Sequence, residues 1–118
     1  MSWTKPPLSM NDRPHHRVRA RITGEIRDET LLRARFLQLP KGLQRVRITL
    51  IYRPLQKRRR DAINLAPTLK AVEDALVQYG LVPDDTPEFI DPVMPVIEAP
   101  VPGQRLSEIL VRVEQLAP

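Results

Sequence analysis

The stretch Arg45-Val46-Arg47-Ile48-Thr49-Leu50-Ile51-Tyr52-Arg53-Pro54 alternates apolar with polar side chains and is rich in β-branched residues. Successive side chains of a strand point to opposite faces. Val46, Ile48, Leu50 and Tyr52 therefore share one face, expected to meet a core. Arg45, Arg47, Thr49 and Ile51 share the other, which starts basic and ends apolar. Pro54 lacks the N–H that a sheet ladder needs and closes the strand. A helix follows after a loop: Leu65, Leu69, Val72, Leu76 and Tyr79 recur at helical spacing. Asn64 is a suitable N-cap, Pro67 is tolerated in the first turn, and Gly80 is a suitable C-terminal cap. The opposite face of that helix presents Lys70, Glu73, Asp74 and Gln78. A strand feeding an amphipathic helix is the beginning of an α/β domain.

Upstream, residues 15–38 favour helix, with Val18, Ile22 and Ile26 at i, i+4 and i+8. Leu32 and Phe36 resume that spacing. Gly24 weakens the middle, which leaves one helix or two open. Residues 1–14 hold Pro6, Pro7 and Pro14 and read as an extended lead-in. Downstream, residues 89–97 are β-branched but contain Pro92 and Pro95, which fits an edge or broken strand. Ile109, Val111 and Val113 alternate with Leu110, Arg112 and Glu114 as a last strand. The order predicts a single compact α/β domain over residues 1–118, with a small mixed β-sheet packed against two main helices.

The 118 residues carry a net charge of +5 that conceals an asymmetry. Residues 1–60 hold 16 Lys/Arg against 4 Asp/Glu, a balance of +12; residues 61–118 hold 3 against 10, a balance of −7. Fifteen of the 19 cations are Arg, whose planar fork suits phosphate. Two readings of the asymmetry stand: a polyanionic partner, above all nucleic acid, or two halves that neutralise each other. Helix 15–38 sets Arg17, Arg19, Arg21, Arg27, Arg33 and Arg35 against only Glu25, Asp28 and Glu29, and is expected to face DNA. The absence of Cys excludes disulfides and thiolate metal sites. No apolar run approaches membrane-spanning length and the first residues lack a signal-type apolar stretch, so a cytoplasmic protein without membrane contact is expected.

The loop between the central strand and its helix reads Lys57-Arg58-Arg59-Arg60-Asp61-Ala62-Ile63-Asn64, and past the helix comes Asp84-Asp85-Thr86-Pro87. Cations suited to phosphate thus flank carboxylates suited to metal, as hydrolysis of a phosphodiester backbone requires. Singly, Asp61 beside an Arg and Asp84-Asp85 in a turn are ordinary. Their joint occurrence around Asn64 and Lys70 is more specific.

From Arg58 to Asp85 the order of residue types resembles the RusA-type Holliday junction resolvases. Pro7-Leu8-Ser9-Met10-Asn11 resembles that family's short N-terminal signature. The resemblance implies a RusA-like fold, a homodimer, Mg²⁺ as cofactor, and resolution of four-way or other branched DNA by phosphodiester hydrolysis. Position by position, it implies Asp61, Asp85 and Lys70 as catalytic residues and Asp61, Asp84 and Asp85 as metal ligands. It also implies DNA contacts from Asn11, Asn64 and Arg60; charge adds the neighbouring Arg58 and Arg59 to the Arg17, Arg19 and Arg21 already singled out. A phage or prophage origin is implied in the same way.

The sequence departs from the pattern twice. Ile63 stands where a second metal-binding Asp is expected, and Asn64 to Lys70 is longer than the family spacing, which shifts Lys70 by nearly a helical turn. Glu73 or Asp74 offers a substitute carboxylate from the helix. An alternative therefore accompanies the nuclease reading: a RusA-fold protein with impaired catalysis that binds branched DNA or regulates.

Overall fold

The computed structural model describes residues 16–55 and 65–117. Helix α1 spans His16–Phe36, strand β1 Val46–Arg53, helix α2 Ala66–Tyr79, strands β2 Ile90–Asp91 and β3 Val96–Ile97, and strand β4 Glu108–Gln115. The expected α/β architecture, two helices with a small mixed sheet, is the observed one.

Strand β1 is the spine of the sheet. Strand β4 pairs with it antiparallel along its whole length, from Val46 opposite Gln115 to Arg53 opposite Glu108. Strands β2 and β3 pair with it in parallel at its two ends, Val46 with Ile90 and Ile51 with Val96. Since a strand has two edges, β2 and β3 share the one that β4 leaves. Parallel pairing of β1 with β2 requires a crossover, and α2 provides it. Pro92 lies between the two short strands; it cannot donate to a ladder, and the broken edge expected here results.

Val46, Ile48, Leu50 and Tyr52 are at most 3% exposed and meet both helices' apolar faces in the core. From α2 come Leu69, Val72 and Leu76, continued by Leu81 and Val82 beyond the helix. Each such side chain, fully buried, contributes on the order of 1.5–3 kcal/mol. Ile51 and Thr49, on the opposite face of β1, are buried as well.

Helix α1 is continuous through Gly24, where an added Cβ would meet nothing within 4 Å. Its buried stripe differs from the expected one. It runs Ile26, Thr30 and Ala34, with Leu31 alongside, whereas Leu32 and Phe36 are 64% and 85% exposed. Six residues at about 100° each carry Leu32 to the far side of the helix from Ile26, so a resumed spacing does not resume the same face. Thr30 is buried at no cost in unmet polarity, because its hydroxyl donates to the Ile26 carbonyl at 2.8 Å.

Helix α2 also starts one residue later than expected. Leu65 holds the N-cap position, and no side chain among the described residues caps it; the expected cap, Asn64, lies outside the described residues. Leu65 is 4% exposed, so packing sets the entry, and the Pro67 in the first turn has no N–H to be capped. Gly80 ends the helix as predicted, at φ +103°, its N–H donating to the Leu76 and Val77 carbonyls. This left-handed cap lets the chain double back along α2.

Candidate functional site

The reversal after Gly80 builds the site. Leu81 and Val82 are buried to within 1% and pin the returning chain against the core, which carries Pro83, Asp84 and Asp85 back beside α2. Lys70, about one turn into α2, meets them there. Its ammonium donates to Asp85 Oδ2 and lies 3.1 Å from Asp74 Oδ1, one turn along the same helix. Lys70 thus stands between two carboxylates contributed by different segments.

The electrostatics follow from that placement. The hydrogen bond to Asp85, with Asp74 adding to it, raises the Lys70 pKa against a smaller opposing effect of burial. The same bond, with the ammonium charge, holds the Asp85 carboxyl below its usual range. Glu73 differs: burial raises its pKa, Lys70 pulls it back, and Asp85 and Asp74 push it further up. Asp84 is exposed, and its Oδ1 accepts the Asp85 N–H at 2.7 Å. Of the two adjacent acids in the turn, Asp85 faces Lys70 and Asp84 caps its own backbone.

The structure therefore brings Lys70 and Asp85 together, with Asp74 and Glu73 as neighbours. Asp61, Ile63, Asn64, Arg58, Arg59, Arg60 and Asn11 lie outside the described residues. Among the described residues no three acidic or His side chains form a metal-holding group. Carboxylate oxygens are nevertheless the donors that a hard cation such as Mg²⁺ takes, and Asp74 and Asp85 already share a cationic partner in the Lys70 ammonium.

The basic half divides into two populations. On the sheet face away from the helices, Arg47 Nε lies 2.9 Å from Asp91 Oδ2 and Arg53 Nε 2.8 Å from Glu98 Oε1. Arg45 reaches Asp91 at 3.4 Å, Arg53 reaches Glu108 at 3.5 Å, and Arg47 reaches Glu114 at 3.8 Å. The bond to Glu98 raises the Arg53 pKa. These strand arginines are offset by acids of the C-terminal half, which is the second reading of the charge asymmetry. The sequence signal for this lattice was the asymmetry itself, but not which cations it concerned.

Helix α1 is the other population. Arg17, Arg19 and Arg21 are exposed at its start, and among the described residues Arg21 has only a long 3.8 Å ion-pair contact, to Glu25. Further along, Arg33 pairs with Glu29 at 2.9 Å and Arg27 donates to Gln78 at 2.8 Å. Arg19 and Arg35 form no ion pair among the described residues. The helix keeps positive charge in solvent, as a phosphate-binding surface requires.

No helix among the described residues is long and apolar enough to cross a membrane. Comparison of the chain with family models, with curated proteins and with solved structures gives no match to any of them.

Proposed function

We propose that the chain is a RusA-like, magnesium-dependent endonuclease that acts as a homodimer on four-way or other branched DNA. The observation that carries this reading is the Lys70–Asp85 ion pair. Two residues that the motif assigns to one site lie 15 positions apart and are in contact. The exposed arginines of α1 support a DNA partner independently.

In this reading Asp61, Asp84 and Asp85 hold Mg²⁺, with Asp74 and Glu73 as nearby oxygen donors. When bound, the metal supplies an activated water and neutralises charge on the phosphate. Lys70 keeps Asp85 ionised and oriented, and carries a positive charge at the mouth of the site. Arg17, Arg19, Arg21, Arg58, Arg59, Arg60, Asn11 and Asn64 hold the DNA backbone. A two-fold dimer matches a four-way junction, since two sites then face opposing strands.

Ile63 motivates a second reading, in which the protein binds branched DNA without cutting it. One assay separates the two: a labelled four-way junction incubated with wild-type protein in Mg²⁺ or in EDTA, beside Asp61→Asn and Asp85→Asn. Nicking in Mg²⁺ alone, lost in both variants with binding retained, supports the nuclease. Binding without nicking supports the second reading, and absence of binding refutes both.

A further inference from the structure

The outer edge of β4 is an eight-residue sheet edge that no described strand covers. The bond from Leu116 N–H to the Arg45 carbonyl fixes the alternation along it. Even-numbered residues of β4 direct their main-chain groups to β1, so those of Val111, Val113 and Gln115 face outward. Beside this edge lies an open groove of about 320 Å³, lined by Ala34, Leu37 and Leu39 together with Val111 and Val113. Ile109, on the same face, is 2% exposed, whereas Val111 and Val113 are only partly covered. At the lip, Leu37 is 66% exposed and the adjacent Phe36 85%. A long edge with apolar flanks and no Pro or Lys invites another strand.

We propose that a second copy of the chain covers this edge, by antiparallel β4–β4 pairing about a two-fold axis at Val113. In that register Val113 faces the partner's Val113, and Val111 faces the partner's Gln115. Arg112 then faces the partner's Glu114, and by symmetry the pair forms twice. Charge favours the match: Arg112 is exposed and forms no ion pair among the described residues, while Glu114 has only the 3.8 Å contact to Arg47. Shifting the axis by one residue, to Arg112, would set like charges opposite each other. The pairing gives the homodimer of the proposed function its surface, and it stands on β4 without reference to the nuclease site.

Sedimentation velocity over a concentration range, without DNA, tests it on wild type, Arg112→Glu, Glu114→Arg and the double swap. Wild type is expected to dimerise. Each single change replaces two attractions by two repulsions and should weaken the dimer about 10-fold or more. The double swap restores opposite charges and should return to within about 3-fold of wild type. Arg112 has no ion-pair partner among the described residues of its own chain, so Arg112→Glu reads the interface even if Glu114→Arg sets a second cation beside Arg47 and unsettles the fold. Because the chain lacks Cys, oxidised Val113→Cys should form a covalent dimer and Glu88→Cys should not. A wild-type monomer at every concentration, an Arg112→Glu dimer of unchanged affinity, or absence of the Val113→Cys crosslink would overturn the proposal.

Discussion

Replacing Lys70 with Ala separates stability from function at the site. The Lys70 side chain is 59% exposed, and its partners Asp74 and Asp85 are 37% and 29% exposed. Ion pairs this open to water contribute only about 0.2–1 kcal/mol each. Losing both, and leaving two carboxylates facing each other beside Glu73, should therefore cost about 1–2 kcal/mol at low salt. Most of that loss should vanish in 1 M NaCl, where the screening length is about 3 Å. Urea denaturation followed by circular dichroism, at both salt concentrations, reads the difference. Under the proposed nuclease function, nicking of branched DNA should fall far more, by about 10²–10³-fold, because Lys70 would then supply positive charge beside the phosphate in the transition state. A salt-independent loss above about 3 kcal/mol would mean that the pair is a buried structural element. Unchanged nicking would remove Lys70 from the active site.

Three further outcomes are expected. Leu76→Ala, at a core position 2% exposed, should cost about 2–5 kcal/mol in urea denaturation. Burial raises the Glu73 pKa, so its charged form opposes folding at neutral pH, and this penalty is absent below the ordinary Glu value. Glu73→Gln should accordingly be more stable than wild type at pH 7 and lose that advantage as the pH falls through the raised value; thermal melts across pH show the crossover or its absence. Changing Arg17, Arg19 and Arg21 together to Ala should reduce the slope of log affinity against log salt by about 2–3 in junction binding, and an unchanged slope would take α1 off the DNA surface.

Local periodicity made much of this fold legible. The alternation in Val46-Arg47-Ile48-Thr49-Leu50 named the buried face of β1, and the spacing of Leu65, Leu69, Val72 and Leu76 named that of α2. Both are properties of one element, set by strand and helix geometry. In α1 the same reasoning misplaced Leu32 and Phe36, because a match in spacing says nothing of rotation once the stripe has shifted. The N-cap at Leu65 was missed because burial of a leucine marks the start of α2 among the described residues, and burial leaves no capping residue type to read. The parallel pairings of β2 and β3 were illegible, since two-residue strands carry no pattern and their partner lies across a helix. The contact of Lys70 with Asp85 depends on the left-handed turn at Gly80, which the sequence does signal. That Asp85 and not Asp84 makes the contact does not follow from composition, because either acid satisfies the motif. Likewise the offsetting of Arg45, Arg47 and Arg53 by Asp91, Glu98, Glu108 and Glu114 needs the pairing register, which only the folded sheet supplies.

The most direct measurement of the central proposal uses a supercoiled plasmid that extrudes a single cruciform, incubated with purified wild-type protein in Mg²⁺ and resolved on an agarose gel. A symmetric dimer with two working sites cuts opposing strands within one encounter, so linear plasmid should appear in Mg²⁺. None should appear in EDTA or with Asp61→Asn or Asp85→Asn. Plasmid that stays supercoiled in Mg²⁺, with the cruciform bound, would contradict the nuclease account and leave the binding role associated with Ile63.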